Sequence, residues 1–471
     1  MSDTAPDDWL KPALKLVAAV TLARLVLLAF NRTDLFVDES QYWLWGQSFA
    51  FGYYSKPPLI AWVIGLSTWI GGDTPYFVRA PFALFHAAAA LVLAALGARL
   101  SGKRVAILTA ATYVTLPMAA VGSLLASTDT IMAPFFVAAL YFHSRLASDR
   151  RASFALLAGV CLGLAFLAKY AALYFLIGVG AGAVLVPALR IGWRNTALML
   201  LAFALVAAPN LVWNAMHGFA TVSHTADNIS WVRTESPLAA LSLAGAAQFL
   251  LAQFAVAGPL VFTALLFAMT RRDTARLTVF ALPPLLIVTA QALLDKAYAN
   301  WAASAYFAGT VAAVMVLHRR PRLMLASLAV NGAVCLILPL LTLFPMMQIA
   351  GSDPLLDRWT GQAAMSRQII DLSIDNDGLP IVSNRREILA DLFFTGAKGN
   401  LQIYAVPPAG RPMNHYEQTH PMPASLTGKV LFIGNEPACP SERLPLDAGT
   451  GAYARANLSA YVVDAVCFHA P

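Results

Sequence analysis

Residues 14–30 read LKLVAAVTLARLVLLAF, and residues 31–43 continue as NRTDLFVDESQYW. The first string approaches the roughly 20 mainly apolar residues that a helix needs to cross a bilayer. The second places two adjacent acids just beyond it. No A-x-A-like cleavage site follows Phe30, so the run reads as a retained first span rather than a signal peptide.

Ten further apolar runs follow, at 78–99, 105–124, 130–146, 153–168, 170–189, 196–213, 242–269, 277–294, 300–317 and 323–345. None lies beyond residue 347. Over the 471 residues, 59% are hydrophobic and 12% charged. A soluble domain has about 45–50% apolar and about 25% charged residues, so the whole composition points to a membrane. The net charge of +7 does not indicate a nucleic-acid partner, because the cations sit in short loops between apolar runs. Alternate loops carry Arg99, Lys103 and Arg104; Arg145, Arg150 and Arg151; Arg190 and Arg194; Arg271, Arg272 and Arg276; Arg319, Arg320 and Arg322. With Lys11 and Lys15 they define one cytoplasmic face, whereas the intervening loops hold only scattered cations such as Arg32 and Arg233. An odd number of spans then puts the N-terminus inside and the tail outside.

The expected architecture is a polytopic α-helical membrane protein of about 11 spans (residues 1–347), with a first outer loop at 32–77 and a small soluble α/β domain at 348–471. In that tail, Leu379–Val382, Leu401–Val406 and Val430–Ile433 read as strands and Arg385–Phe394 as a helix. Cys439 and Cys467 lie in the tail, where an oxidising compartment permits pairing; spacing alone leaves the pair open. Cys161 and Cys335 fall within spans as packing residues. Trp43, Trp45, Trp62 and Trp69 in the first loop suit the membrane–water interface.

The residues fit for chemistry share the outer face. Asp38 and Glu39 are ionisable groups next to lipid, which usually line a functional site; a solvated loop pair is the plainer reading. Gly52-Tyr53-Tyr54-Ser55-Lys56-Pro57-Pro58 follows. The double proline suits a helix start, so Lys56 stands where free N–H groups already favour an anion; snorkelling is its plainer role. Arg79 lies at the outer mouth of the second span, and Asp129 follows Ser127-Thr128 at the start of the fourth, where it also suits an N-terminal cap. Lys169 sits between two apolar runs and needs a partner, either a bound phosphate or Asp129. His224, Asn228 and Trp231 occupy the second long outer loop. Cations together with a carboxylate suit a sugar phosphate on a lipid carrier: the cations stabilise the leaving phosphate, and the acid takes the acceptor hydroxyl's proton.

These motifs carry a resemblance. Val37-Asp38-Glu39-Ser40-Gln41-Tyr42, then Tyr54-Ser55-Lys56-Pro57-Pro58-Leu59 with Trp62, resemble the first periplasmic loop of the GT-C glycosyltransferases of family 39. The chain looks like the bacterial branch, which includes lipid A aminoarabinose transferases and rhizobial lipopolysaccharide galacturonosyltransferases. Ser127-Thr128-Asp129, Leu167-Ala168-Lys169-Tyr170 and Ala299-Asn300-Trp301 with Tyr306 extend the likeness over about residues 10–345. The resemblance implies a GT-C fold in a bacterial inner membrane. It implies an inverting transfer from a polyprenyl-phosphate sugar to lipid A, lipopolysaccharide or another envelope glycan. Asp38 is then the base with Glu39 beside it; Lys56, Arg79 and Lys169 hold the donor phosphate; Tyr42, Tyr54, Asp129, His224, Trp301 and Tyr306 line the substrates. The family's aminoarabinose transferases have a glutamate before the Lys-Pro-Pro lysine that can join a metal site. Here Ser55 stands there, which argues against a divalent metal and against aminoarabinose as the sugar. A transporter or flippase of lipid-linked saccharides and a protein O-glycosyltransferase are the competing readings. The outer-face charges and the appended domain favour transfer over transport, which usually places its site at the midplane between repeats.

Overall fold

The computed structural model describes residues 9–229, 241–349 and 351–469. In chain order the helices are α1 (Leu10–Ala29), α2 (Val37–Gly46), α3 (Leu59–Gly71), α4 (Pro75–Ser101), α5 (Lys103–Thr115), α6 (Pro117–Gly122), α7 (Thr128–Asp149), α8 (Ala152–Ala168), α9 (Tyr174–Leu185), α10 (Trp193–Met216), α11 (Ala220–Ile229), α12 (Leu243–Ala257), α13 (Pro259–Ala268), α14 (Ala275–Leu294), α15 (Ala305–Leu317) and α16 (Pro321–Leu341). The tail continues as α17 (Gln362–Asp375), β1 (Ile381–Ser383), α18 (Arg386–Thr395), β2 (Ile403–Ala405), α19 (His415–Thr419), β3 (Lys429–Gly434), β4 (Ser441–Leu444) and β5 (Ser459–Asp464).

Among the described residues six helices, α1, α4, α7, α10, α14 and α16, are long and apolar enough to cross a bilayer. Several of the eleven apolar runs read from hydropathy fold as broken or shorter helices, and the bent pair α12–α13 counts as a seventh candidate span. Run 105–124 is two helices, because Leu116 precedes Pro117 and takes an extended ψ of 136°. Run 242–269 is α12 and α13, bent by 114°, since Gly258 at φ 85° precedes Pro259. α8, α9 and α15 are shorter apolar helices. Each Pro break frees backbone carbonyls, which cannot stay unpaired in hydrocarbon. At each of these two breaks a side chain from another helix pairs one of them. Arg24 of α1 donates to Val114 O, and Asn331 of α16 donates to Ala257 O at 3.1 Å.

The chain divides into two compact units. The first comprises Met1–Ala29, Ala50–Ile60 and Arg79–Pro339. Its centre is α15, where every residue from Ala305 to Val314 is fully buried. A helix that is apolar all round belongs inside a bundle. α8 lies close against α10 because Gly159 and Gly163 carry no side chain: a Cβ on Gly159 would meet Met199 O at 2.2 Å, and one on Gly163 would meet Val206 Cβ at 2.5 Å. This is the small-xxx-small packing that brings membrane helices together.

The second unit comprises Phe30–Phe49, Ala61–Val78 and Leu340–Pro471, so it takes α2 and most of α3 from the first loop along with the tail. Its five-stranded sheet has the order β2-β1-β3-β5-β4. β1 runs parallel to both β2 and β3, and β5 runs antiparallel to β3 and β4. The pleat of β3 sends Leu431 and Ile433 into a core with Met365, Ile369, Ile388, Leu389 and Leu392 of α17 and α18. Val430 and Phe432 point to the other face, with Val382, Tyr461 and Val463. Val37 and Leu44 of α2 pack on the helical side. The three expected strands and α18 appear within a residue or two of their expected bounds. β4 and β5 were not anticipated: β4 (SERL) is polar and exposed on an edge, whereas β5 (SAYVVD) is a buried apolar strand whose signal was legible and missed. Cys439 and Cys467 form a disulfide with Cα atoms 6.0 Å apart.

Candidate active site

In the second unit the acid pair opens α2, where the free N–H groups and the dipole favour carboxylates. The two acids do different things. Glu39 is 1% exposed and turns back so that its Oε2 accepts the Phe36 N–H at 2.9 Å, capping its own helix. Asp38 points away, with its side chain 44% exposed, and pairs through Oδ1 with the Arg386 guanidinium. Arg386 Nε also donates to Gln41 Oε1 at 3.0 Å, so one guanidinium bridges positions 38 and 41 of α2. Arg386 is placed by the β1–α18 turn. There Ser383 Oγ accepts from Arg385 N at 3.0 Å and donates to Ile433 O at 2.8 Å. Tyr42 is buried against Trp45, with ring centroids 5.3 Å apart. His415 packs edge-on to Trp45 at 5.6 Å, and its Nδ1 has no hydrogen-bond partner among the described residues. Burial, with the charges of His420 and Arg386 adding to it, lowers the His415 pKa to about 3.

In the first unit the Gly52–Lys56 loop is held from α10 and α11. Asn210 Nδ2 donates to Phe51 O at 2.7 Å, and Thr221 Oγ1 donates to Tyr53 O at 2.6 Å. Tyr170 donates to Asn210 Oδ1 at 3.0 Å and accepts from Asn214 at 3.2 Å. Gly52 lies on the Trp213 ring, where a Cβ would come within 2.3 Å. The loop closes on itself, Tyr53 N donating to Lys56 O at 3.2 Å. Burial raises the Tyr53 phenol to about 12. Tyr54 packs edge-on to His224 at 5.2 Å. Lys56 is partly buried just ahead of Pro57-Pro58 and α3, and Arg79 is 1% exposed on α4.

Asp129 is not the cap of α7. Ser127 is, its Oγ accepting from Asp129 N at 3.2 Å. Asp129 instead receives Lys169 Nζ on both oxygens at 2.8 Å and Asn300 Nδ2 at 3.3 Å. Lys169 thus has the acid as its partner. Trp301 sits in the short turn Ala299–Ala302, its ring 5.5 Å from Tyr298. Tyr306 is fully buried and donates to Gln253 Oε1 at 2.8 Å; Gln253 in turn donates to Ala299 O. Trp231 and Arg233 and the side chain of Asn228 lie outside the described residues. Ser55 is 7% exposed, and among the described residues no group of three or more His, Cys, Asp or Glu side chains is placed to hold a metal.

Sequence reasoning missed Arg386, Gln41, Asn210, Asn214 and Thr221. The asparagines carried a signal, being amides four residues apart in an apolar run. Arg386 carried none, since nothing local links it to a motif 348 residues earlier.

Residues 55–213 match the family model described as dolichyl-phosphate-mannose-protein mannosyltransferase. The chain is 40% identical, over 472 aligned positions, to the lipid A galacturonosyltransferase RgtD of Rhizobium johnstonii, covering 97% of this chain and 99% of the relative. Its fold is similar to that of ArnT from Cupriavidus metallidurans bound to undecaprenyl phosphate, with a TM-score of 0.64 at 14% identity over 97% of this chain and 99% of that one. The apo state of the same protein gives a TM-score of 0.62 at 13% identity. With apolar spanning helices, a small mixed sheet and a relative matched nearly end to end, this multi-pass membrane protein belongs to the GT-C glycosyltransferases of family 39.

Proposed function

We propose that the protein moves a sugar from a polyprenyl-phosphate carrier to lipid A, inverting the anomeric centre, with galacturonic acid as the sugar. The reading of donor, sugar and acceptor draws on a relative of 40% identity that is a lipid A galacturonosyltransferase, and on a like-folded structure that binds undecaprenyl phosphate. The observation that carries the chemistry is the division of labour at α2: Glu39 caps its own helix from a buried position, while the Asp38 carboxylate, held by Arg386 through one oxygen, is 44% exposed. Asp38 takes the proton of the acceptor hydroxyl as its oxygen attacks the anomeric carbon. The bond from that carbon to the phosphate oxygen breaks, and the lipid phosphate leaves with the electron pair. Lys56 and Arg79 hold that phosphate, where cations stabilise developing charge. Lys169, already balanced by Asp129, assists from the polar cluster that also includes Asn300. Tyr42, Tyr54, His224 and Trp301 line the substrates, and Tyr306 supports the 299–302 turn through Gln253. The N-terminus is cytoplasmic and the tail periplasmic. The Cys439–Cys467 pair fits that side, since structural disulfides persist in oxidising compartments.

The test is transfer by the purified protein in detergent, with polyprenyl-phosphate sugars as donors and lipid A or lipopolysaccharide as acceptors, read by mass spectrometry. A gain of one uronosyl unit on lipid A, reduced to a trace with Asp38→Asn, is the expected result. Transfer of another sugar, or only to a different acceptor, corrects the substrates. Movement of labelled lipid across proteoliposomes without transfer from any donor overturns the enzyme reading.

A further inference from the structure

We infer that Arg386, from the soluble tail, is a positioning residue for the catalytic step: it orients the Asp38 carboxylate, so that the tail supplies part of the transfer machinery. This rests on the reading of Asp38 as the base. The geometry is specific. The guanidinium reaches α2 at two positions one turn apart, Asp38 Oδ1 and Gln41 Oε1. Gln41 is 1% exposed, so its amide gives the guanidinium a fixed reference. An arginine donates through a rigid planar fork, and two contacts to one helix define both the plane and the direction of that fork. Only one carboxylate oxygen is engaged. Asp38 Oδ2 has no hydrogen-bond partner among the described residues, and the side chain is 44% exposed. The arrangement thus holds one oxygen and leaves the other to meet a hydroxyl.

The hold is itself rigid. Arg386 opens α18 directly after the Ser383 turn, and α18 packs on α2 through Trp43 and Phe394, whose rings stand edge to face at 5.0 Å. Tyr416 is fully buried next to the same charges, and its hydroxyl has no hydrogen-bond partner among the described residues. A lysine offers a point charge without the fork, so it replaces the charge and not the geometry.

The experiment is steady-state kinetics of the full-length protein in detergent or nanodiscs, with Arg386→Met, Arg386→Lys, Asp38→Asn and the Arg386→Met/Asp38→Asn double variant. Arg386→Met is expected to lower kcat by about 100-fold, the cost of misplacing a reacting group by about 1 Å, with the donor KM changed less than about threefold. Arg386→Lys is expected to recover part of kcat. In the Asp38→Asn background the same Arg386→Met change is expected to have no further effect on the residual rate, because Arg386 acts through Asp38. A purely structural residue slows both backgrounds alike, and that result overturns the inference. So does a folded Arg386→Met protein with the parent kcat, or one in which only the donor KM rises. If Asp38→Asn turns over normally, the base assignment fails first and Arg386 loses its role with it. If Asp38→Asn is inactive while Arg386→Met is normal, only the present inference fails.

Discussion

Two neighbouring carboxylates, identical in kind, are separated by what each one faces. Glu39→Gln removes the charge from a buried cap, and the expected consequence is a loss of stability of about 1 kcal/mol, the usual weight of a helix cap, with turnover retained. Asp38→Asn is expected to do the reverse, cutting turnover to a small residual rate while donor binding and the unfolding temperature stay close to the parent. Thermal unfolding and single-turnover transfer measured on both variants decide the matter; an Asp38→Asn protein with the parent rate excludes it as the base. Lys56→Ala is expected to weaken donor binding by about 10- to 100-fold, the range for one charge-assisted contact of about 1.5–3 kcal/mol, in titrations with the polyprenyl phosphate. An unchanged affinity removes Lys56 from the phosphate site. The acid pair and the Lys-Pro-Pro motif were legible in the sequence. The choice between the acids was not, because adjacent residues on a helix face different directions, and only the folded turn sends Glu39 back to Phe36.

At the scale of elements, proline decides where apolar runs break, and a partner from elsewhere in the chain decides whether the break is tolerated. Gly258 combines φ 85° with an amide neighbour: a Cβ there would sit 1.9 Å from Asn331 Oδ1. Gly258→Ala is therefore expected to lower stability by more than the ~1 kcal/mol of an ordinary left-handed position, because the Asn331–Ala257 hydrogen bond is displaced as well. Detergent thermal melts check this; a variant melting with the parent shows that the bend relaxes without loss. Hydropathy found the runs that form the long apolar helices but did not show where several of them break. A composition window registers the apolar character of Leu116 or Gly258 and is blind to the dihedral that the following proline imposes.

For the molecule as a whole, the second unit carries an acid sensitivity. In an unfolded chain a histidine takes up a proton near pH 6.5, whereas His415 in the fold does so only at about 3. Between those values the unfolded state binds more protons, so stability rises with pH across that window. Acidification from pH 7 to 5 is expected to cost about 2 kcal/mol by this linkage. Melts of the parent and of His415→Asn at the two pH values test the point: the variant should show a flatter pH response, and equal slopes assign the sensitivity elsewhere. The same unit also shows that the chain's compact parts are not continuous in sequence. Residues 30–49 and 61–78 belong with a tail that begins near Leu340, while Ala50–Ile60 belongs with the spanning helices.

The sequence by itself determined the membrane class, the alternation of charged loops, the outer-loop motifs and their family likeness, and most of the tail's strand pattern. Each of these depends on local composition or spacing, which a single chain displays directly. Only the tertiary structure decided that Asp38 rather than Glu39 is open, that Lys169 meets Asp129, that α10 holds the Lys56 loop and that Arg386 reaches α2. Those contacts join residues tens to hundreds of positions apart. Their partners are set by how helices and strands pack, which no local window of the chain contains.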